Sequence, residues 1–226
     1  MEIRGNTKED IELVIKDLRT IFSDSVFDKF KDLLIRTGKK KNGLSLSKIT
    51  EEQLSQAFEG IDLSNDQFAL MKIVVNTINS DDVHIIEYVS SDDGVASPSA
   101  EKAFINGFAD GPLKDFLPNI LKKSNGLPLK LLSNEGGGGI TSKTKTGSYS
   151  IIFINGQHPN GQAITMGHEL FGHGRSLALG VVNQHEAAIQ TENLILRVMG
   201  IVFQNTGFNH GPRTKINNPS ALPSFR

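Results

Sequence analysis

The chain contains no cysteine. That excludes a disulfide framework and thiolate chemistry, so any metal must be held through nitrogen and oxygen. Net charge is almost absent as well, with 24 basic residues against 25 acidic ones. Such a balance gives no electrostatic footprint for nucleic acid or for an anionic membrane. The one basic run, Lys39-Lys40-Lys41, lies between Gly38 and Gly43 and reads as a solvated turn. No apolar stretch approaches the roughly 20 residues that a membrane-spanning helix needs. The opening MEIRGNTKEDIE lacks the apolar core of a signal peptide, so any export is expected as part of a larger protein.

What is present suffices for a folded core: 226 residues with 38% hydrophobic content suit one domain, or one domain with a helical extension. The first third reads as helical. Behind a Thr7–Asp10 N-cap, Ile11, Val14, Ile15, Leu18, Ile21 and Phe22 form one apolar stripe, and a second runs from Val26 to Leu34. Thr50 with Gln53, and Ser64 with Gln67, match the capping box and open helices over about residues 51–59 and 65–79. Beyond residue 80 the pattern changes. Val83 to Val89 is strand-like, Pro98 to Phe108 suggests a short helix, and residues 140–154 read as a hairpin turning near Gly147. The glycine run at 136–139 is not followed by Gly-Lys-Ser/Thr and reads as a flexible loop, not a phosphate cradle. Helical spacing returns from Gly161 and again over about residues 184–200, before an Asn/Pro/Gly-rich tail. The expected class is α+β, with a helical segment over 1–80, in the same domain or beside it, and a second unit over 81–226.

The chemistry concentrates in His168-Glu169-Leu170-Phe171-Gly172-His173. H-E-x-x-H places two zinc ligands one helical turn apart with a general base between them. Here the second histidine arrives one residue late. On an ideal α-helix, residues five apart point about 140° away from each other, so both could bind one ion only across a widened turn. A one-residue π-bulge provides that, and Gly172 is expected to permit the distortion. Two of the chain's six histidines flank one glutamate, just after a β-like segment and just before a helix carrying further acids. That conjunction outweighs the plainer reading of two surface histidines.

The six-residue string resembles the H-E-x-x-G-H signature of the dipeptidyl peptidase III family of zinc peptidases. That resemblance implies Zn²⁺ held by His168 and His173, water activated by Glu169, and a glutamate on a later helix as third ligand. A longer stretch is similar to the zincin-like peptidase domains that end Rhs-type bacterial polymorphic toxins. It comprises "HELFGHG", "HEAAIQTENLILRVMG" and "GFNHG". Those domains imply a zincin-like fold for residues 81–226, a peptide or protein substrate and a cognate immunity protein as partner. For the third ligand the resemblance favours Glu186, followed by Glu192 and then His185. A carboxylate not used as a ligand is expected to orient a ligand histidine.

A peptidase also needs a donor for the developing oxyanion. His210 in "NHG" leads that role, with Tyr149 and Arg175 behind it. The strand from Tyr149 to Ile154 is expected either to pair with an extended peptide as a sheet edge or to lie in the core. The alternatives to a peptidase are a metal-dependent amidase acting on a non-protein substrate, and an interaction domain whose metal is purely structural.

Overall fold

The structure is a computed structural model, which describes residues 2–34, 43–45, 48–90, 94–107, 115–154, 159–205 and 214–215. The elements run β1 (Glu2–Gly5), α1 (Lys8–Lys31), β2 (Gly43–Ser45), α2 (Glu51–Ala57), α3 (Asn65–Asn79), β3 (Val83–Val89), α4 (Pro98–Gly107), α5 (Leu117–Ser124), α6 (Leu129–Gly136), β4 (Gly139–Thr144), β5 (Gly147–Phe153), α7 (Pro159–Gly167), a π-helical segment (His168–Gly174), α8 (Arg175–Ala178), α9 (Gln184–Val198), β6 (Phe203–Gln204) and β7 (Thr214–Lys215). The class is therefore mixed α and β. Three capping boxes form as the sequence requires, at Thr7/Asp10, Thr50/Gln53 and Ser64/Gln67. Each satisfies two backbone donors that a helix start would otherwise leave bare.

One sheet organises the molecule, in the order β2-β1-β3-β5-β4. The inner pairs β1–β3 and β3–β5 are parallel, and the outer pairs β1–β2 and β4–β5 are antiparallel. Successive side chains of a strand face opposite sides of the sheet, and β5 follows that rule into two cores. Ile152 joins α1, α3, α7, the π segment and α9 on one face, through Val14, Leu18, Phe22, Ile78, Leu170 and Ile195. Tyr149, Ile151 and Phe153 face the other way, against Phe104 of α4 and Leu132 of α6. All seven residues of β5 are buried, as expected of a strand covered on both faces.

Of the two places open to the strand at Tyr149–Ile154, β5 takes the core: it is interior, and the edge on that side is β4. Contrary to expectation, residues 1–80 are not wholly helical, since β1 carries them into the sheet beside β3. Residues from Ile3 to Ile78 bury into the same core as residues from Ile152 to Leu196. No helix among the described residues is long and apolar enough to cross a membrane.

Candidate functional site

The stretch 159–178 is a single rod made of α7, the π segment and α8. Its junction residues Gly167 and Arg175 keep ordinary right-handed helical angles (φ −64, ψ −41 and φ −62, ψ −43). The π segment coincides with His168–Gly174. A π turn bonds residues five apart and stacks them on one face, which is the face that spacing five requires. His168 and His173 accordingly meet edge to face, with ring centroids 4.9 Å apart and planes at 78°. The widened turn anticipated from "HELFGH" is present. Gly172 contributes in another way than expected: it is not among the residues with positive φ. A Cβ on it would lie 2.7 Å from the Cα of Ala188, so its bare backbone lets α9 pack directly on the π segment.

Glu169 is 5% exposed and is held from the sheet. Thr141 of β4 donates its hydroxyl to Glu169 Oε2 at 2.7 Å, and Thr141 Oγ1 in turn lies 2.8 Å from Ser150 Oγ on β5. Burial pushes the Glu169 carboxyl up from its ordinary range, while His168 and the Thr141 hydrogen bond pull against that shift. A carboxylate placed so is a better proton acceptor than an exposed one. Gly139 completes the seat, because a Cβ there would come within 2.7 Å of Glu169 Cγ. The glycine run therefore ends α6 and begins β4 as the floor under Glu169, not as a loose loop. Small residues on the same face of β5 make room for the rod: Ser148 lies where a Cβ on Gly174 would intrude, at 2.7 Å from its Oγ.

The helix α9 brings three further groups. His185 packs its ring 5.4 Å from that of His173, at 41°. Glu186 is half-buried and accepts from Asn183 Nδ2 at 3.4 Å and Gln190 Nε2 at 3.2 Å. Both line an open depression of about 740 Å³ that Val182, Asn183 and Gln184 complete. Glu192 lies deeper, 4% exposed, with Oε2 at 2.9 Å from His168 Nδ1 and Oε1 accepting from Asn205 Nδ2 at 2.8 Å. The structure thus brings together His168, Glu169, His173, His185 and Glu192, and leaves the Glu186 carboxylate with Gln190 of its own helix and Asn183 at that helix's N-cap.

The other expected residues lie elsewhere. Tyr149 is no oxyanion donor: it is 1% exposed in the opposite core and donates its hydroxyl to Glu87 Oε2 at 2.8 Å. Burial raises the pKa of both Tyr149 and Glu87. Arg175 lines a small cavity of about 70 Å³ with Asn76, Thr77, Asp82 and His84, and burial there lowers its pKa. His84 is a buried strand residue, as its position suggested, with Nδ1 2.8 Å from Ser148 Oγ. His210 lies outside the described residues, as does the Lys39–Lys41 turn.

Does this donor set suit a metal? Imidazole nitrogen and carboxylate oxygen are borderline to hard donors that suit zinc. Two imidazoles on one tetrahedral zinc, with Zn–N of about 2.0–2.1 Å, place their centroids about 5 Å apart. The 4.9 and 5.4 Å ring spacings match that separation. Among the described residues, no three His, Asp or Glu side chains are gathered closely enough to hold an ion as placed. The fit therefore rests on donor chemistry and ring spacing. Comparison with protein-family models, with curated proteins and with solved structures finds no match for this chain.

Proposed function

We propose that the chain is a zinc-dependent peptidase, acting on a peptide or protein substrate, and that it forms the effector end of a larger bacterial protein. One observation carries the reading. The π segment sets His168 and His173 side by side, and it buries Glu169 between them in sequence on the sheet side.

His168 and His173 hold the ion, and α9 supplies the third ligand: Glu186 or His185 of its first turn, or Glu192, whose Oε2 lies 2.9 Å from His168 Nδ1. When bound, zinc acidifies a water and withdraws electrons from the scissile carbonyl. Glu169 performs the proton transfers. Its Oε2 is occupied by the Thr141 hydroxyl, so Oε1 takes the proton from the attacking water and returns it to the leaving nitrogen. Gly139 and Thr141 keep that carboxylate in place, and the packed core around Leu170 and Phe171 keeps bulk water from its back.

The test is a panel of unstructured proteins, peptides and non-peptide amides, assayed with the wild type, with Glu169→Gln and after chelation. Cleavage of peptide bonds that falls about 10²- to 10⁴-fold in Glu169→Gln, the usual worth of a general base, is the expected result. Turnover confined to non-peptide amides would move the assignment to an amidase. Metal binding with no Glu169-dependent turnover would make the metal structural.

A further inference from the structure

We propose that Val182, in the loop between α8 and α9, is a specificity-determining residue that receives a bulky apolar side chain of the substrate beside the scissile bond. The inference rests on the peptidase reading above and names the substrate class of that same site. Val182 is 94% exposed, the highest value of any large apolar side chain among the described residues. Leu179 and Val181 in the same loop are exposed as well. Single exposed apolar residues are ordinary, whereas these three fall together beside the candidate site. The loop is held at both ends. Gly180 takes φ +67 and closes α8, with its N–H donating to Leu177 O at 3.3 Å and Val181 N–H donating to Ser176 O at 2.9 Å. At the other end Asn183 opens α9, its carbonyl accepting from Ala187 N–H at 3.2 Å. Val182 stands just before that N-cap, where an apolar residue often staples onto the fourth residue of the helix, here Ala187. At 94% exposed it makes no such staple, so the local fold leaves its apolar surface unused.

Its place in the site gives that surface an occupant. Val182 lines the depression of about 740 Å³ together with Asn183, Gln184, His185 and Glu186, and it is the one aliphatic side chain of that lining among the described residues. The His185 ring packs 5.4 Å from that of His173, so the depression adjoins the histidine pair. A peptide whose scissile bond lies at the pair therefore lays a neighbouring side chain over Val182. An apolar side chain there leaves water for an apolar contact, a gain that grows with the area covered. A charged one gives up hydration and finds no partner on Val182, and an acidic one also meets the Glu186 carboxylate. Apolar contacts in closed pockets discriminate by about 10- to 200-fold. An open loop covers one side only, which puts the expected preference near the lower end, about 10-fold.

The test maps cleavage sites in a randomised peptide library by mass spectrometry for the zinc-loaded wild type, Val182→Asp, Phe116→Asp and Glu169→Gln. It then measures kcat/KM on peptides that differ only at the mapped position, Leu against Lys and Glu. The wild type is expected to favour Leu, Ile and Phe at one position flanking the cut, by about 10-fold over the charged peptides. Val182→Asp should lose that ratio and turn towards Lys. Because the side chain is exposed, its Tm and zinc content should stay close to those of the wild type. Phe116→Asp is the control: Phe116 is 65% exposed, just before Leu117 in the core on the opposite sheet face, and its variant should keep the apolar preference. If the wild type shows no apolar preference, or Val182→Asp keeps it, the role of Val182 is wrong, while the peptidase reading stands on the loss of cleavage in Glu169→Gln. A lower mass by light scattering in Val182→Asp, with selectivity unchanged, would overturn the proposal in favour of a contact between copies of this chain. If the wild type cleaves no peptide, or Glu169→Gln cleaves as well as the wild type, the peptidase reading falls and this inference with it.

Discussion

Asp17 illustrates how a single buried group sets a measurable property of the whole chain. It is 2% exposed, and accepts from Tyr88 Oη at 2.8 Å and from Gln162 Nε2 at 3.2 Å. Burial pushes its pKa from the ordinary 3.8 up to about 6, against the pull of those two hydrogen bonds. The folded state thus holds this proton more tightly than the unfolded chain. The stability it contributes is full below pH 3.8 and is lost as pH rises through about 6. A tenfold change in proton affinity is worth about 1.4 kcal/mol, so the loss at neutral pH is of the order of 3 kcal/mol. Asp17→Asn keeps the shape without the charge. It should therefore be more stable than the wild type at pH 7, with the difference closing at pH 4, as read from denaturant midpoints at the two pH values. His84 works in the opposite sense, since burial pushes its pKa down to about 4 and its contribution is lost as pH falls. It is common to both proteins and cancels in the comparison. A gap that does not change with pH would contradict the account of Asp17.

The element that decides the site is the π segment, and its packing gives a prediction whose sign is informative. Alanine for glycine inside a helix normally stabilises, by about 0.5–1 kcal/mol. At 172 the added methyl would meet the backbone of Ala188 at 2.7 Å, which cannot swing aside as a side-chain tip can. Gly172→Ala should instead destabilise by about 1–3 kcal/mol, as overpacking does, and push α9 with His185 and Glu192 off the rod. A lower urea midpoint checks this; a higher one would mean that helix propensity prevails and the contact is slack. Much of this element was legible beforehand. The late histidine required a widened turn, and the capping boxes of α2 and α3 placed those helices within two residues of their observed ends. The two stripes of α1 meet at its kink at Ser23, but the helix stops at Lys31, short of Leu34 where the second stripe ends. What could not be read is set by contacts distant in sequence. Glu169 lies 28 residues from Thr141, and Glu192 lies 13 from Asn205; neither threonine nor asparagine has a pattern that announces its partner. The short β1 and the helices α5 and α6 carry too few residues for periodicity to declare itself.

At the scale of the molecule, described residues from both ends of the chain share one core. The strand at residues 2–5 lies beside β3, and α1 and α3 cover the same sheet face as α7, the π segment and α9. The elements β1, α1 and α3 are therefore a wall of the site's own core. The reading of "HELFGH" as a widened, metal-binding turn depends on that frame, because α9 and the sheet hold the turn between them. The most direct measurement is the zinc content of protein purified without chelator, wild type against His173→Ala, the histidine that only the π turn brings to the site. The account predicts about one zinc per chain for the wild type, as a single catalytic centre holds, and a loss of most of it in the variant while the fold is kept. A wild type without stoichiometric metal, or a His173→Ala protein that retains it in full, would contradict the account.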